Sequence, residues 1–89
     1  MKISKIMVQV HHSRDTEARY WDWEDANGTY EELKKRLETK WDGWTDGVRL
    51  VEKTFDEGTF CVYTRVIKTT MRKRNWNNWN EWTIEEKEE

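Results

Sequence analysis

The chain has 89 residues and a net charge of −2, and only 15 residues are Leu, Ile, Val or Phe. This length fits one domain, in which seven Trp and three Tyr residues make up for the shortage of aliphatic side chains. The single cysteine, Cys61, excludes an internal disulfide framework, and no apolar run is long enough to cross a bilayer. We therefore predict a soluble, cytoplasmic domain with no membrane partner, and so small a core favours a homodimer.

The first elements in chain order are two strands. Residues Lys2–His12 alternate in polarity, with Ile6, Val8 and Val10 on one side, which is typical of a β-strand. Residues Arg19–Glu24 alternate again and place Trp21 and Trp23 on one face. We expect this second strand to fold back on the first and to bury both tryptophans.

A helix follows the break at Asn27-Gly28. Thr29 and Glu32 have the spacing of a capping box, in which the Thr hydroxyl accepts a hydrogen bond from the N–H three residues on. Gly43 is well placed to end the helix. The apolar stripe predicted for the core comprises Tyr30, Leu33, Leu37, Trp41 and, less regularly, Trp44.

Two further strands form a predicted hairpin, Val48–Phe55 and Thr59–Thr70, joined by the loop Asp56-Glu57-Gly58. The first of them is apolar on both faces and should lie centrally in the sheet. The simplest register puts Val48 and Leu50 on one face, together with Phe60, Val62 and Val66. On the other face it puts Val51 and Phe55, together with Cys61, Tyr63 and Ile67. A slip by one residue would exchange these faces.

The C-terminal part has two readings. Trp76, Trp79 and Trp82 are spaced by three, as on a helical turn, but the asparagines between them favour turns. The alternation from Trp82 to Glu86 equally fits a short edge strand. We predict one domain over residues 1–84 and an acidic, frayed tail over residues 85–89.

The predicted fold class is therefore α+β: an antiparallel sheet of about four strands, in the order β-β-α-β-β, with one helix packed on one face. The other face must be covered by the C-terminal segment, a second copy or a partner.

No pattern of catalytic or metal-binding residues is complete. His11 and His12 are adjacent on a strand and point to opposite faces, so they cannot hold one ion together. Cys61 with either histidine lacks an orienting third residue. The acids around Asp22 lack the glycine and the ordered ligands of a calcium loop. We predict that the protein is not an enzyme, with no catalytic residue, metal or cofactor.

The leading functional hypothesis is a small binding protein that docks on another macromolecule, which could itself bind nucleic acid. Exposed aromatic residues beside charges are the usual anchors of protein interfaces. In its short length, acidic composition and lack of motifs, the chain resembles the small phage proteins that inhibit host enzymes or defence systems. The residues predicted to contact the partner are Trp44, Tyr63, Trp76, Trp79 and Asp22.

The alternative is a binder of nucleotides or single-stranded nucleic acid. Between Gly58 and Asn80 the chain has five basic residues and no acidic one. Cationic side chains can bind phosphates, and neighbouring indole rings can stack on nucleobases. The acidic pI and five acids between Glu81 and Glu89 oppose this hypothesis. The residues it would use are Arg72, Lys73, Arg74, Trp76 and Trp79.

Overall fold

The computed structural model describes residues 1–13, 21–39, 45–75 and 78–89. They form an antiparallel sheet of five strands in the order β2-β1-β3-β4-β5, with one helix packed on it. The elements are β1 (Lys2–Ser13), β2 (Trp21–Asp25), α1 (Tyr30–Thr39), β3 (Thr45–Asp56), β4 (Phe60–Asn75) and β5 (Asn78–Glu88). The α+β class and the single helix are confirmed, and β3 is the central strand, as predicted. The predicted count of about four strands is close.

The helix begins where the capping box predicts. The N–H of Glu32 donates to Oγ1 of Thr29 over 3.2 Å, and the N–H of Leu33 donates to the Thr29 carbonyl over 3.1 Å. Within α1, Tyr30 and Leu37 are buried, which confirms this part of the predicted stripe. Trp41, Gly43 and Trp44, which the prediction placed at the end of the helix, lie outside the described residues.

The core lies between α1 and the middle of the sheet. Tyr30 and Leu37 pack on the fully buried Val48 of β3. The Tyr30 hydroxyl is hydrogen-bonded to the hydroxyl of Thr70 on β4, and Lys68 Nζ lies 4.4 Å from the Tyr30 ring centroid. The partly buried hydrophobic residues around this cluster are Val8, Leu33, Leu50 and Ile84.

The hairpin of β3 and β4 is present, but its register differs from the simplest prediction. Val48 lies opposite Thr70, and Leu50 lies opposite Lys68. Two bulges, between Leu50 and Val51 and between Thr54 and Phe55, each add one residue to β4. Only the residues between the bulges, 63–66, therefore change face: Tyr63 shares the face of Val48 and Leu50, and Val66 that of Val51, whereas the prediction had the reverse. Phe55 lies opposite Cys61, so these two residues share a face, as predicted. At the turn, Glu57 and Gly58 both adopt positive φ, 55° and 79°.

The C-terminal segment is a long edge strand. β5 extends to Glu88, which lies opposite Lys68, whereas the sequence predicted a frayed tail from residue 85. The acids of β5 lie beside the basic residues of β4, and Lys73 Nζ contacts a Glu85 carboxylate oxygen at 2.6 Å. The acid-rich β5 is a strand because it pairs with β4, whose basic side chains offset its negative charge.

One end of the sheet extends beyond the helix and beyond both outer strands. β2 pairs with β1 only from Gln9 onward, and β5 pairs with β4 only from Lys68 onward. β1, β3 and β4 continue without them to the hairpin turn. We call this three-stranded end, residues 2–6, 52–56 and 60–65, the tip. The protein is accordingly elongated, 51 × 26 × 22 Å. Within the described ranges, no helix is long and apolar enough to cross a membrane.

Candidate functional site

Apolar side chains are exposed on the face of the tip that continues from the helix. Ile6 follows the alternation of Val8, which packs against the core under α1, so both residues lie on the helix side of the sheet. Tyr63 lies on the same side, because Thr54 is opposite both Ser4 and Tyr63. Ile6, Phe60 and Tyr63 are 58%, 69% and 55% exposed. We call these three residues the docking face.

The tip also exposes apolar groups elsewhere. Val62, the extra residue of one bulge, is 46% exposed. On the opposite face Ile3, Phe55 and Cys61 form a row across the three strands, and Ile3 is 41% exposed. Exposed apolar residues that cluster in this way mark interaction sites more often than do isolated ones.

Polar residues of β3, namely Glu52, Thr54 and Asp56, lie between Ile6 and the two aromatic residues of the docking face. The hydroxyls of Ser4 and Thr54 are 3.2 Å apart, and Nε of Arg65 lies 3.4 Å from a Glu52 carboxylate oxygen. Protein interfaces combine aromatic residues with polar and charged groups, as this face does.

A network of polar side chains occupies the helix-free face of the sheet near β2. The carboxylate of Asp25 accepts hydrogen bonds from Gln9, at 2.9 Å, and from Lys53, at 3.0 Å. Gln9 in turn accepts one from Arg49 Nε at 2.8 Å. The Arg49 guanidinium lies 4.1 Å from the Trp23 ring centroid, and the His11 ring is 4.8 Å from the same ring. Trp23, predicted to be buried, is half-buried within this network.

The network perturbs two ionisations. Hydrogen bonding from Gln9 and Lys53 outweighs burial and lowers the pKa of Asp25 below its usual 3.8. Burial lowers the pKa of the Arg49 guanidinium. These contacts join one strand to another and so hold β2, β1 and β3 together.

The structure places the predicted partner-binding residues in different regions. Tyr63 is exposed on the docking face, whereas Asp22 lies opposite His12, at the other end of β1. Trp44 and Trp76 lie outside the described residues, and so does the side chain of Trp79.

Sequence reasoning did not single out Ile6 or Phe60. Both belong to alternating strands and would be read as core residues. The available signal was the length of the hairpin, because a ten-residue helix is about 15 Å long and cannot cover the full length of β4.

Two of the three basic residues of the nucleic-acid hypothesis, Arg72 and Lys73, have protein partners. Arg72 is 7% exposed and donates to the carbonyl oxygens of Thr45, at 2.9 Å, and of Leu37, at 3.3 Å. Lys73 is exposed and pairs with Glu85, and this hydrogen bond lowers the pKa of the Glu85 carboxyl. Arg74 lies opposite Trp82, and its side chain is outside the described part of the structure.

A cavity of about 300 Å³ lies between α1 and the adjoining ends of β1 and β3. Its apolar wall includes Val10 and Leu33, and Arg36 and His12 are its basic lining residues. His12 Nε2 is 3.6 Å from a Glu24 carboxylate oxygen. Among the described residues, no cluster of His, Cys, Asp and Glu could hold a metal ion.

Comparison of the chain with protein-family models, with curated proteins and with solved structures finds no match. The function must therefore be inferred from the chain's own residues.

Proposed function

We propose that the protein is a small, non-enzymatic binding protein that docks on another protein through the docking face of its tip. The observation that carries this proposal is the exposure of Phe60 and Tyr63, both more than half exposed on one face of the β3–β4 hairpin. Burial of a large aromatic side chain at an interface can contribute several kcal/mol, and hot spots are enriched in tyrosine.

The tip is suited to reach into a partner's groove. It extends beyond α1, β2 and β5, so a partner can contact the docking face without meeting the helix. The polar side chains of β3 on this face could form hydrogen bonds with the partner beside the two aromatic rings. If the surface so covered is the partner's working site, docking inhibits the partner sterically, as the likeness to small phage inhibitors suggests.

The environment of Arg72 supports this function over the nucleic-acid alternative. Its guanidinium donates to two main-chain carbonyls and is almost completely buried, so it is poorly placed to contact a phosphate. Lys73 lies beside the acids of β5, which would repel a phosphate backbone.

Affinity capture from a lysate of the source cells tests the proposal when the wild type is compared with two variants. The Phe60→Ser/Tyr63→Ser variant removes both aromatic rings from the docking face. The matched control, Lys35→Ser/Glu38→Ser, removes two exposed side chains from α1.

We expect the wild type and the control to recover the same protein and the tip variant to lose it. Equal recovery by all three would contradict the proposal, and so would the absence of any protein recovered by the wild type above the level of empty resin. Circular dichroism of each variant confirms that the fold is intact.

A further inference from the structure

The tip has two open sheet edges. On β4, the last contact with the C-terminal strand is the hydrogen bond from the Glu89 N–H to the Ile67 carbonyl, at 2.9 Å. On β1, the last contact on the β2 side is from the Ala26 N–H to the Val8 carbonyl, at 2.9 Å. Beyond these bonds no described strand covers residues 60–66 of β4 or residues 2–7 of β1. Open edges present N–H and C=O groups that can pair with another chain.

The two edges differ in charge. The β1 edge carries Lys2, Lys5 and the amino terminus, with no acid among residues 1–7. Lysines on an edge strand discourage edge-to-edge pairing, because a second copy would bring like charges together. Between residues 60 and 66, β4 carries one charge, Arg65, which pairs with Glu52 at 3.4 Å and with Glu89 at 3.6 Å. The β4 edge therefore lacks this protection.

Both edges expose apolar side chains, but only the β4 edge exposes aromatic rings. Phe60, Val62 and Tyr63 fall within four consecutive residues and are all strongly exposed. Only five hydrophobic residues in the described part of the chain are buried. So small a core gains more than a large one from apolar burial between two chains.

We propose that the occupant of the β4 edge is a second copy of this chain, paired antiparallel through residues 60–66 about a twofold axis perpendicular to the sheet. Such an axis makes the contact self-complementary and joins the two sheets into one. It leaves the two positively charged β1 edges on the outside. It also keeps both docking faces on one side of the joined sheet. The dimer does not depend on the proposed function. If the docking face does bind a partner, the dimer presents two such faces and is bivalent.

The row formed by Ile3, Phe55 and Cys61 supplies a distance test that is independent of the register. In the proposed dimer the two Cys61 residues are one strand spacing apart across the sheet. The two Ile3 residues are five strand spacings apart, about 24 Å. Because Ile3 and Cys61 lie in one row, the displacement along the strand direction between the two copies is the same for both pairs. A spin label on Cys61, the only cysteine, should therefore report a shorter distance than a label on Ile3→Cys in a Cys61→Ser background.

Electron paramagnetic resonance in continuous-wave and pulsed modes measures both distances. A shorter distance from Cys61 than from position 3 supports the β4 edge. The reverse order would overturn the proposal in favour of the β1 edge. The absence of any defined distance would show that the protein is monomeric and would overturn it as well.

Sedimentation equilibrium of two charge variants gives a second test. Val62→Lys and Ile3→Lys each place one lysine at an exposed apolar position, the first at the β4 edge and the second at the β1 edge. We expect the wild type and Ile3→Lys to have twice the chain mass of 11.0 kDa, and Val62→Lys to have the monomer mass. A dimer that survives Val62→Lys and is lost in Ile3→Lys would contradict the proposal.

Failure of this inference can be distinguished from failure of the proposed function. If Val62→Lys is monomeric and still captures the partner, both proposals stand and docking does not require two copies. If the wild type is monomeric and captures a partner whose extended segment protects the β4 edge from amide exchange, the occupant is that partner and the second copy is excluded. If the dimer forms and nothing is captured, only the proposed function fails.

Discussion

The guanidinium carbon of Arg49 lies 4.1 Å from the centroid of the Trp23 ring, which joins the central strand of the sheet to its short edge strand across β1. A cation over an indole contributes about 0.5–2 kcal/mol, depending on its exposure. Arg49 also donates to Gln9, so the same side chain anchors β1.

We predict that Arg49→Met lowers the free energy of unfolding by about 1–3 kcal/mol, from the lost cation–π contact and hydrogen bond. A double-mutant cycle with Trp23→Leu, followed by urea unfolding, isolates the coupling between the two residues. We expect a coupling of about 0.5 kcal/mol or more. Strict additivity would show that the contact contributes nothing.

The lowered pKa of Asp25 makes the stability of this region dependent on pH. A carboxyl whose folded pKa lies below its unfolded value stabilises the fold at pH values above the unfolded pKa, here 3.8. This stabilisation is lost as the pH falls through the lower, folded pKa. Asp25→Asn should therefore flatten part of the acid limb in a pH series of urea unfolding. Glu57→Gln, in the exposed turn, is the control. An identical acid limb in wild type and Asp25→Asn would refute the assignment.

Sequence patterns predicted the local features of the fold and missed those that depend on pairing. The Thr29–Glu32 cap and Gly58 at the hairpin turn are determined by nearby residues, and both are found in the structure. The bulges at Leu50/Val51 and Thr54/Phe55 are not local, because a bulge depends on which residues of the partner strand must face the core.

The same distinction explains the C-terminal segment and the site. The spacing of Trp79 and Trp82 suits a helix, but pairing with β4 makes the segment a strand. Tyr63 was predicted to contact a partner because it is aromatic, and it is exposed. For Phe60 the alternation predicts only which face of the strand it occupies; that the helix is too short to cover this position follows from comparing the lengths of α1 and β4.

The buried hydroxyl pair of Tyr30 and Thr70 gives a prediction about the attachment of the helix. Tyr30→Phe or Thr70→Val alone leaves one buried hydroxyl without this partner, and each should cost about 1–3 kcal/mol. The double variant should cost less than the sum, because no unsatisfied group of the pair remains. Urea unfolding of the three variants measures this, and a double variant at or above the sum would contradict it.

Arg72 provides a direct comparison between a structural and a nucleic-acid role. Its hydrogen bonds to the Leu37 and Thr45 carbonyls connect β4 to the helix and to β3, so Arg72→Met should cost about 2 kcal/mol or more. Lys73→Met removes only an exposed ion pair and should cost less than about 1 kcal/mol. We also expect an oligonucleotide at low salt to leave the tryptophan fluorescence unchanged. Quenching that weakens with salt would support the alternative function instead.

Contact between Tyr63 on the tip and a partner protein is tested most directly by site-specific photo-crosslinking. A photoreactive phenylalanine analogue replaces Tyr63 in one protein and Glu38, exposed on α1, in another. Both proteins are irradiated in a lysate of the source cells. We expect a discrete crosslinked band from position 63 and none from position 38. A band from position 38 alone, or no band from position 63, would contradict docking through the tip.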